Sequence, residues 1–416
     1  MTNTDVIVIG GGPAGLAAAI AAKKTGAEVL LIEREARLGG ILKQCVHDGF
    51  GLVRFGEKLS GPEYAERFID EFNKEKVELL TLTFVTKIEK VPEGFRLTAV
   101  NRGGVVQVTS RTLVLASGCR ERTVRQVFIH GTRPSGIFTA GTAQHFINLL
   151  GQMPTKRCVI LGSGDIGLIM ARRITLEGGA VAGVYEVKPY PSGLMRNIYQ
   201  CLYDCDIPLY LSKTVTRIFG DDHLTAVEIC SVDENMRPIE ETAEIVECDA
   251  LILSVGLTPE NELAEKLGVE LDPQTEGPVC DQNLMTSVEG VFSCGNSLHV
   301  NDLVDFVTES GETAGRAAAG FMRVKRAELP LHTEGNMQYL IPQKLDLSSK
   351  SLKTVLFFRS NKILKKNALI VTVDGREVYR KWFSVLRPPE MERIELDFGL
   401  FGLTPQSRIS FKIEKV

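Results

Sequence analysis

The chain has 416 residues, of which 44% are hydrophobic and 24% are charged, and its formal net charge is −4. This length exceeds one ordinary hydrophobic core, so we expect two or three domains of a globular protein. We interpret the basic clusters at 156–157, 172–173 and 323–326 as solvated faces rather than a nucleic-acid surface. No apolar run reaches the ~18 residues that span a bilayer. A first strand starting at about Asp5 leaves no room for a signal peptide, so the expected compartment is the cytoplasm.

Near its start the chain reads DVIVIGGGPAGLAAAIAAKKTGAEVLLIERE, which predicts a βαβ unit that binds a dinucleotide. Two apolar strands flank an alanine-rich helix whose N-terminus offers N–H groups to phosphates. Gly10 allows the tight turn, Gly12 lets the backbone approach a pyrophosphate, and Gly15 lets the helix pack on the strand. The second strand ends in Glu33, placed to accept a hydrogen bond from a ribose 2′-hydroxyl. Spacing alone leaves the identity of the dinucleotide open.

The segments that follow combine a helix with strands. In PEYAERFIDEFN we predict a helix from about Pro62 to Asn73, with the proline at its first position. From Leu79 to Leu115 the alternation predicts a β-meander with a turn at 101–104.

A second fingerprint lies in RCVILGSGDIGLIMARRITLEGGAVAGVYEVK. Gly162, Gly164 and Gly167 take the three glycine roles, and Glu186 ends the next apolar strand. An acid at this position repels a 2′-phosphate, which favours NAD(H) over NADP(H). Lys188 weakens that inference, because a nearby cation accommodates a phosphate. A degenerate domain kept for packing is the alternative interpretation.

The tail from about residue 335 has strand periodicity. TVLFFRS, ALIVTVDGREVYRKWFSV, RIELDF and RISFKIEKV predict strands, and Asp374-Gly375 predicts a hairpin turn. We therefore expect a small β-rich domain, which acts either as a docking surface for another subunit or as a structural cap.

Nine cysteines are spread along the chain without CxxC spacing. Cys201 and Cys205 stand at i and i+4 in LMRNIYQCLYDC, where helical character predicts that they share one face. Helix geometry disfavours a disulfide between them, so we interpret them as packing residues, with redox or metal work as the alternative. No cysteine follows Cys294, so the tail cannot supply thiolates to an iron–sulfur cluster. No metal site is predicted.

Four further motifs resemble those of one family. They are the LGG at 38–40, LVLASG at 113–118, SVGLTPENEL at 254–263 and GVFSCGN at 290–296. Together with the fingerprints they resemble the pyridine nucleotide-disulfide oxidoreductase superfamily, over roughly residues 1–325.

The resemblance implies an α/β fold with two doubly wound, Rossmann-like dinucleotide-binding domains, the NAD domain being inserted in the FAD domain. It implies FAD at the first fingerprint and NAD(H), in preference to NADP(H), at the second. The expected domains are an FAD-binding domain at 1–118 and 256–325, an NAD(H)-binding domain at 152–255, and the small C-terminal β-rich domain at 335–416.

The resemblance also implies cofactor contacts residue by residue. Those for FAD are Gly10, Gly12, Pro13, Ala14, Gly15, Glu33, Arg34, Gly40, Ala116, Ser117, Gly118, Gly295 and Asn296. Those for NAD(H) are Gly162, Gly164, Asp165, Ile166, Gly167, Glu186 and Gly256. Asn296 departs from the family pattern, in which an aspartate usually follows the glycine. Its amide oxygen accepts a hydrogen bond but brings no charge, so we expect FAD binding with altered electrostatics.

Disulfide reductases of this superfamily carry a cysteine pair in one of two places, and neither place has one here. GGILKQCVHDGFG offers Cys45 alone, and GIFTAGTA puts Ala140 and Ala143 where the small thioredoxin reductases have cysteines. Disulfide exchange needs a thiolate and a resolving thiol, so electrons are not expected to leave by this route.

Because a flavin would carry the chemistry, no catalytic residue is assigned with certainty. The candidates are Gln144 and, each with a plain packing role as the alternative, Cys45 and His47. Other expected flavin neighbours from the same motifs are Gln44, Thr139 and His299. Asp302 and Asp305 are expected to anchor the helix that follows rather than to transfer protons.

GGILKQCVHDGFGL, ASGCRERTVR, GTRPSGIFTAGTAQHFIN and SCGNSLHVNDLVDFV narrow the resemblance. They resemble the FAD- and NADH-binding alpha subunits of proline, hydroxyproline and opine dehydrogenases, and the companion flavoprotein of anaerobic glycerol-3-phosphate dehydrogenase. This implies an FAD-dependent NAD(P)H oxidoreductase that transfers electrons between NADH and a partner dehydrogenase. The partner would oxidise glycerol 3-phosphate or an amino acid, with a small cysteine-rich electron-transfer protein as a further partner. The alternatives are a stand-alone NADH-dependent reductase of a quinone, oxygen or another small acceptor, and a binding subunit with structural cofactors.

Overall fold

The computed structural model describes residues 2–415, which form two compact units. The first unit comprises the chain up to Cys119 and again from Pro259 onward, and the second comprises Arg120–Thr258. The second unit is therefore an insertion in the first. The expected α/β fold with Rossmann-like cores and a C-terminal β-rich region is confirmed.

The first part of the first unit builds a mixed sheet around the first fingerprint. Its elements are β1 (Thr2–Ile9), α1 (Pro13–Lys24), β2 (Val29–Ile32), β3 (Asp48–Phe50), β4 (Leu59–Ser60), α2 (Gly61–Lys74), β5 (Glu78–Leu80), β6 (Phe84–Val91), β7 (Gly94–Asn101) and β8 (Gly104–Leu115). The sheet order is β5-β2-β1-β8-β7-β6, parallel from β5 to β8 and antiparallel beyond. Every residue of β2 is buried, as expected for a parallel strand covered on both faces.

Two local predictions are confirmed here and one is corrected. Helix α2 begins after Ser60, whose hydroxyl accepts from Glu63 N while the Glu63 carboxylate accepts from Ser60 N. This reciprocal capping fixes the helix start beside the predicted Pro62. Strands β6 to β8 form the predicted meander, with its tight turn at 101–104. Leu79, however, belongs to β5, which pairs with β2, so the meander begins only at Phe84.

The second unit repeats the parallel design. Its elements are β9 (Cys119–Glu121), β10 (His130–Gly131), β11 (Ile137–Thr139), α3 (Ala140–Leu150), β12 (Arg157–Leu161), α4 (Asp165–Leu176), β13 (Ala180–Glu186), α5 (Met195–Cys201), β14 (Leu209–Leu211), β15 (Lys213–Gly220), β16 (Leu224–Ser231), β17 (Glu244–Glu247), β18 (Ala250–Leu253) and β19 (Leu257–Pro259). The parallel sheet has the order β11-β18-β12-β13-β14, and a second sheet has the order β10-β15-β16-β17.

The predicted helix over both Cys201 and Cys205 is wrong in its length. Helix α5 ends at Cys201, and Cys205 lies in a separate 3-10 turn. Asp206 then takes a left-handed φ of +53° before Pro208, which reverses the chain into β14. Both cysteines pack against the apolar core of the second unit.

The chain then completes the first unit. Its elements are α6 (Glu262–Lys266), β20 (Val291–Ser293), α7 (Val304–Ala319), β21 (Glu328–Gly335), β22 (Met337–Ile341), β23 (Lys344–Asp346), β24 (Lys353–Ser360), β25 (Leu364–Val373), β26 (Arg376–Leu386), β27 (Glu392–Asp397) and β28 (Ile409–Lys415). Strand β20 adds to the first sheet beside β8. Helix α7 packs on α1 at backbone distance, because a Cβ on Gly311 or Gly315 would lie within 2.2 or 2.1 Å of a carbonyl oxygen of α1.

The C-terminal β region is a sandwich of two sheets with the strand orders β23-β21-β28-β25-β26 and β22-β24-β27. Its core is continuous between the sheets. The strands predicted from TVLFFRS onward are confirmed, and Asp374-Gly375 joins β25 to β26 as predicted. Three strands between 328 and 346 escaped the sequence analysis, so the β-rich region begins before residue 335.

Arg326 corrects the interpretation of residues 323–326 as a solvated face. Its side chain is 14% exposed and pairs with the fully buried Asp281 at 2.6 Å, and with Glu328 at 3.0 Å. The guanidinium lies 3.5 Å from Asp346 as well. A basic residue there ties the start of the C-terminal β region to the chain before β20.

Candidate functional site

The first fingerprint has the backbone geometry that a pyrophosphate cradle requires. Gly10 has a φ of +106°, and a Cβ there would lie 2.3 Å from the Ala116 carbonyl oxygen. A Cβ on Gly15 would lie 1.8 Å from the Gly10 oxygen. At Gly12, by contrast, the atom nearest to an added Cβ would be Gly40 Cα at 3.8 Å. The protein itself therefore has room for a side chain at Gly12, and the glycine keeps that space open. The glycines therefore divide into two that allow packing and one that leaves room for a ligand.

The start of α1 has free N–H groups for an anion. Gly12 is its N-cap and supplies no side-chain cap, and no acidic residue lies in the first turn. Pro13 stands at the first helical position, where its missing N–H costs nothing. A helix start without a cap and without local negative charge is the arrangement that binds phosphates.

Glu33 lies at the end of β2 against this loop and is 6% exposed. One carboxylate oxygen accepts from Gly11 N at 2.6 Å, and the other accepts from Glu35 N at 2.7 Å. The acid is thus held by the backbone at the position expected for a ribose contact.

The motifs assigned to FAD converge on the same helix start. A Cβ on Gly40 would lie 3.0 Å from Gly12 Cα, and one on Gly295 would lie 2.6 Å from Ala14 Cβ. Segment 115–118 runs alongside, since Ala116 borders Gly10. The structure therefore brings together residues from four separate segments of the first unit.

Two expected FAD residues at the rim make protein contacts. Arg34 pairs with Glu260 at 2.8 Å, and the Ser117 hydroxyl donates to the Glu260 carbonyl oxygen at 2.6 Å. Gly118 has a φ of +75°. These contacts join the end of β2 to the chain that returns from the second unit at 259–260.

Residues 294–302, here called the late loop, are held in shape by hydrogen bonds within the loop. Asn296 Oδ1 accepts from Asn301 N at 3.1 Å and from Asn301 Nδ2 at 3.3 Å, and Asn296 Nδ2 lies 3.5 Å from Cys119 Sγ. Cys294 N and the Ser297 hydroxyl both donate to the Leu115 carbonyl oxygen. The late loop is therefore fixed to the end of β8, beside the fingerprint. The Asn301 Oδ1 atom is buried and has no hydrogen-bond partner among residues 2–415.

The second fingerprint reproduces the glycine geometry of the first, but an acid, Asp165, lies in the first turn of its helix α4. Gly162 has a φ of +96°, and a Cβ there would lie 2.1 Å from the Ser254 oxygen. Gly167 packs on Ser254, to whose hydroxyl its N–H donates at 3.0 Å. A Cβ on Gly164 would come no closer than 3.5 Å to any neighbour, and α4 begins there without a side-chain cap. Gly164 therefore leaves open space in the second fingerprint, as Gly12 does in the first.

Glu186 occupies the position that Glu33 has in the first unit and is 4% exposed. One carboxylate oxygen accepts from Ser163 N at 3.1 Å and from the Ser163 hydroxyl at 2.6 Å. The other accepts from Lys188 N at 3.1 Å, while Lys188 Nζ lies 3.4 Å from the Ser192 hydroxyl. Both fingerprints therefore keep a buried acid against the second residue of the glycine loop.

Two of the remaining expected NAD(H) residues lie in the first turn of α4. Asp165 accepts from Leu194 N at 2.9 Å and from Asn197 Nδ2 at 2.7 Å, so its carboxylate is tied to the start of α5. Ile166 is 36% exposed in the first turn of α4. Gly256 has a φ of +99° between β18 and β19.

The catalytic candidates have no activated group. Burial raises the pKa of the Cys45 thiol to about 12, and this thiol donates to the Ile41 carbonyl oxygen at 3.4 Å. His47 contacts the Asp48 carbonyl oxygen through Nδ1 at 3.1 Å and packs on Phe50. Cys45 and His47 belong to the first unit, whereas Gln144 is buried on α3 of the second.

Ala140 and Ala143, which the sequence analysis expects where the small thioredoxin reductases have cysteines, are fully buried on α3 in the core of the second unit. No disulfide joins any two cysteines among residues 2–415. Burial also raises the thiol pKa above its ordinary value at five further cysteines, which are Cys158, Cys201, Cys248, Cys280 and Cys294.

His299 is an apolar-packed histidine of the late loop. It is 2% exposed between the rings of Tyr339 and Phe357. Burial, and secondarily the charge of Arg359, lower its pKa to about 3, so the imidazole is neutral at physiological pH. Asp302 and Asp305 are anchors as expected, because they accept from Arg359 and from Arg54 N.

Two residues of the motif at 254–263 were not singled out by sequence reasoning. Ser254 contacts all three glycines of the second fingerprint and corresponds to Ala116 of the first. That equivalence, an apolar strand ending in a small residue, was the available signal. Asn261 is buried and donates through Nδ2 to Glu276 O at 2.9 Å and Ser297 O at 3.0 Å. Its role depends on a contact that spans 36 residues, which no local pattern indicates.

Residues 4–320 match the model of the pyridine nucleotide-disulphide oxidoreductase family. The chain belongs to this family. The family implies binding of FAD and of a pyridine nucleotide. The residues present fit both groups, because each fingerprint leaves an open glycine at an uncapped helix start.

Its relatives include components of larger enzymes. The chain is 28% identical over 301 residues to hydrogen cyanide synthase subunit HcnB of Pseudomonas protegens, covering 66% of this chain and 61% of the relative. It is 23% identical over 339 residues to an opine oxidase subunit of Agrobacterium tumefaciens, covering 76% and 64%. The chain thus spans less than two thirds of the length of these curated relatives.

The fold is that of known flavoprotein reductases. The thioredoxin reductase of T. acidophilum superposes with a TM-score of 0.61 at 20% identity, covering 77% of this chain and 98% of that one. Among residues 2–415, no helix combines the length and apolar character needed to cross a membrane. Within the same residues, no group of three or more His, Cys, Asp or Glu side chains is arranged to hold a metal ion.

Proposed function

We propose that this chain is the NADH-oxidising flavoprotein subunit of a multi-subunit dehydrogenase and delivers electrons to a partner subunit rather than to a dithiol of its own. The chemistry that FAD supplies when bound is hydride exchange with a nicotinamide and release of electrons singly or in pairs. The protein's share is to bind and orient both nucleotides.

The observation that carries the proposal is that the chain has two complete nucleotide cradles and, where a cysteine pair is expected, two buried alanines. Gly12 and Gly164 each leave open space at an uncapped helix start, so both cradles suit a pyrophosphate. Ala140 and Ala143 lie in an apolar core, and their methyl side chains cannot take part in disulfide exchange. The raised pKa of Cys45 argues in the same direction.

We assign FAD to the first fingerprint, with the FAD-binding domain at 1–118 and 256–325, and the nicotinamide nucleotide to the NAD(H)-binding domain at 152–255. Glu33 would hold the FAD ribose, and Glu186 the ribose of the second nucleotide. Because Glu186 keeps a buried carboxylate beside the loop, a 2′-phosphate would meet like charge. NADH is therefore the proposed donor, in preference to NADPH.

The partner is proposed from the relatives. HcnB and the opine oxidase relative are each named as one subunit of an enzyme, and both resemble this chain over most of its length. By analogy, this chain would work beside a substrate-oxidising subunit of the glycerol-3-phosphate or amino-acid dehydrogenase type, with a small cysteine-rich protein as a further electron carrier.

An anaerobic titration of the purified flavoprotein, followed by flavin absorbance, tests the proposal. NADH should bleach the flavin near stoichiometrically and NADPH should not, while the isolated chain should oxidise neither glycerol 3-phosphate nor proline. Substrate oxidation by the isolated chain would refute the division of labour. Absence of bleaching by either nucleotide would show that the second fingerprint is idle in the isolated subunit.

A further inference from the structure

Arg359, on β24, links the C-terminal β region to the late loop. Its guanidinium pairs with the Asp302 carboxylate, donates to the Val300 carbonyl oxygen at 3.4 Å and, through Nε, to the Tyr339 hydroxyl at 2.9 Å. The Arg359 side chain is 13% exposed and the Asp302 side chain 31%, so the arginine is largely removed from water while its partner is partly exposed. An ion pair with several added hydrogen bonds in such surroundings holds its partners in one geometry.

Asp302 is held a second time from the same region. Its other carboxylate oxygen accepts from Met391 N at 2.6 Å, in the turn that precedes β27. Helix α7 begins two residues later, at Val304. The junction between the late loop and α7 is thus fixed to two separate segments of the C-terminal β region.

The late loop transmits this anchoring toward the first fingerprint. Asn301, next to Asp302, donates from N and Nδ2 to Asn296 Oδ1, and from Nδ2 to the His299 carbonyl oxygen at 2.8 Å. Gly295, next to Asn296, lies against Ala14 at the start of α1. A continuous series of contacts therefore leads from Asp302 through Asn301 to Asn296, beside the cradle.

Apolar packing adds to the charged contact. The His299 ring lies 6.2 Å from the Tyr339 ring and 5.4 Å from the Phe357 ring, measured between centroids. Tyr339 is also part of the apolar core that surrounds α1. The C-terminal β region therefore contacts segment 299–302 at both ends, at His299 and at Asp302.

We propose that the C-terminal β region sets the flavin environment, and that Arg359 is the positioning residue through which it does so. The inference rests on the proposed FAD site at the first fingerprint. Arg359 touches no part of that site directly and acts through Asp302, Asn301 and Asn296. The C-terminal β region then contributes to the function of the proposed FAD site, whether or not it also binds another subunit.

The test compares full-length Arg359→Met, Arg359→Lys and the control Arg380→Met. Arg380 is the control because its guanidinium also pairs with a carboxylate, that of Glu377, but within β26 and away from the late loop. The readouts are the FAD dissociation constant of the reconstituted apoprotein, the absorption spectrum of the bound flavin, and its midpoint potential. Arg359→Met should weaken FAD binding about tenfold, the equivalent of one lost hydrogen bond to a charged group, and shift the spectrum and potential.

Arg359→Lys should recover part of the spectrum and potential because it keeps the charge, and Arg380→Met should match the parent chain. Parent values for all three readouts in folded Arg359→Met would overturn the proposal, as would an equal change in Arg380→Met. If Arg359→Met fails to fold, Asp302→Asn decides by the same readouts, since it keeps the shape of the side chain and removes its charge. If the parent chain binds no FAD, the proposed function itself fails, and the inference fails with it.

Discussion

Glu186 and Ser163 are joined by two hydrogen bonds, because one carboxylate oxygen accepts from the Ser163 backbone N–H at 3.1 Å and from its hydroxyl at 2.6 Å. The charge is thereby fixed at the edge of the glycine loop, where a nucleotide ribose would lie. We expect Glu186→Gln to narrow the preference for NADH over NADPH by about tenfold, because an amide oxygen still accepts hydrogen bonds but repels no phosphate. The measurement is the KM for each nucleotide in steady-state turnover with an artificial electron acceptor.

Glu177→Gln is the matched control, since Glu177 lies at the end of α4 in an exposed pair with Arg173. It should leave the ratio of the two KM values unchanged. If Glu186→Gln also leaves that ratio unchanged, another group selects the nucleotide, and Lys188 becomes the first residue to test.

The two open glycines allow the two nucleotide sites to be separated. A methyl group fits the protein at Gly12 and at Gly164, where the nearest atoms would lie 3.8 and 3.5 Å away. We expect Gly12→Ala to fold but to lose about tenfold or more in FAD affinity, because the methyl occupies the backbone approach to the pyrophosphate. Gly164→Ala should keep FAD and raise the NADH concentration needed for bleaching. Equilibrium dialysis for FAD and the NADH titration measure the two effects.

Gly15→Ala separates a binding effect from a folding effect. Its Cβ would lie 1.8 Å from the Gly10 carbonyl oxygen, so the change must push α1 away from β1. We expect a large loss of thermal stability in the FAD-free protein, whereas Gly12→Ala should lose little. Equal losses in both variants would mean that Gly12 also serves packing rather than a ligand.

Thiol chemistry should play no part in the reaction with NADH. With a pKa of about 12, Cys45 is thiolate in only about one molecule in 10⁵ at pH 7. Iodoacetamide at pH 7 should therefore leave NADH-dependent flavin reduction unchanged, and Cys45→Ala should retain it. The labelling rate of Cys45 should rise about tenfold per pH unit up to about pH 11, as followed by mass spectrometry. Rapid inactivation at pH 7 that Cys45→Ala prevents would contradict this expectation.

The cradles could be predicted from the sequence because their constraints are local. Gly10 and Gly15 are required by a turn and a helix contact within six residues, and Glu33 and Glu186 by their place at the end of a strand. The capped start of α2 at Ser60 is of the same kind. Such features arise from the conformation of a short stretch of backbone, which only certain residue types allow, so the local sequence indicates them.

The residues that hold the site in place could not be predicted in this way. Arg326 was taken for a solvated residue, yet it reaches Asp281 across 45 positions, and Arg359 reaches Asp302 across 57. A basic residue has the same appearance in a sequence whether its partner is water or a buried carboxylate. Only the tertiary packing of the C-terminal β region against the late loop separates the two cases.

His299 should make the first unit less stable in mild acid. Its pKa is about 3 in the folded chain, whereas an unfolded histidine has a pKa of about 6.5. Between these values only the unfolded chain binds the proton, so the free energy of unfolding falls as the pH drops below about 6.5. The slope should approach about 1.4 kcal/mol per pH unit from this one group. His299→Leu removes the titration at similar volume and should flatten the curve, as measured by urea unfolding at pH 7, 6 and 5.

His332→Gln, in the partly exposed β21, is the control and should keep the parent slope. Carboxylates titrate mainly below this range, so their contribution is shared by all three proteins and cancels in the comparison. Parallel curves for the parent chain and His299→Leu would mean that the folded protein admits a proton at His299. The late loop would then have to open in mild acid, and the flavin spectrum would change over the same pH range.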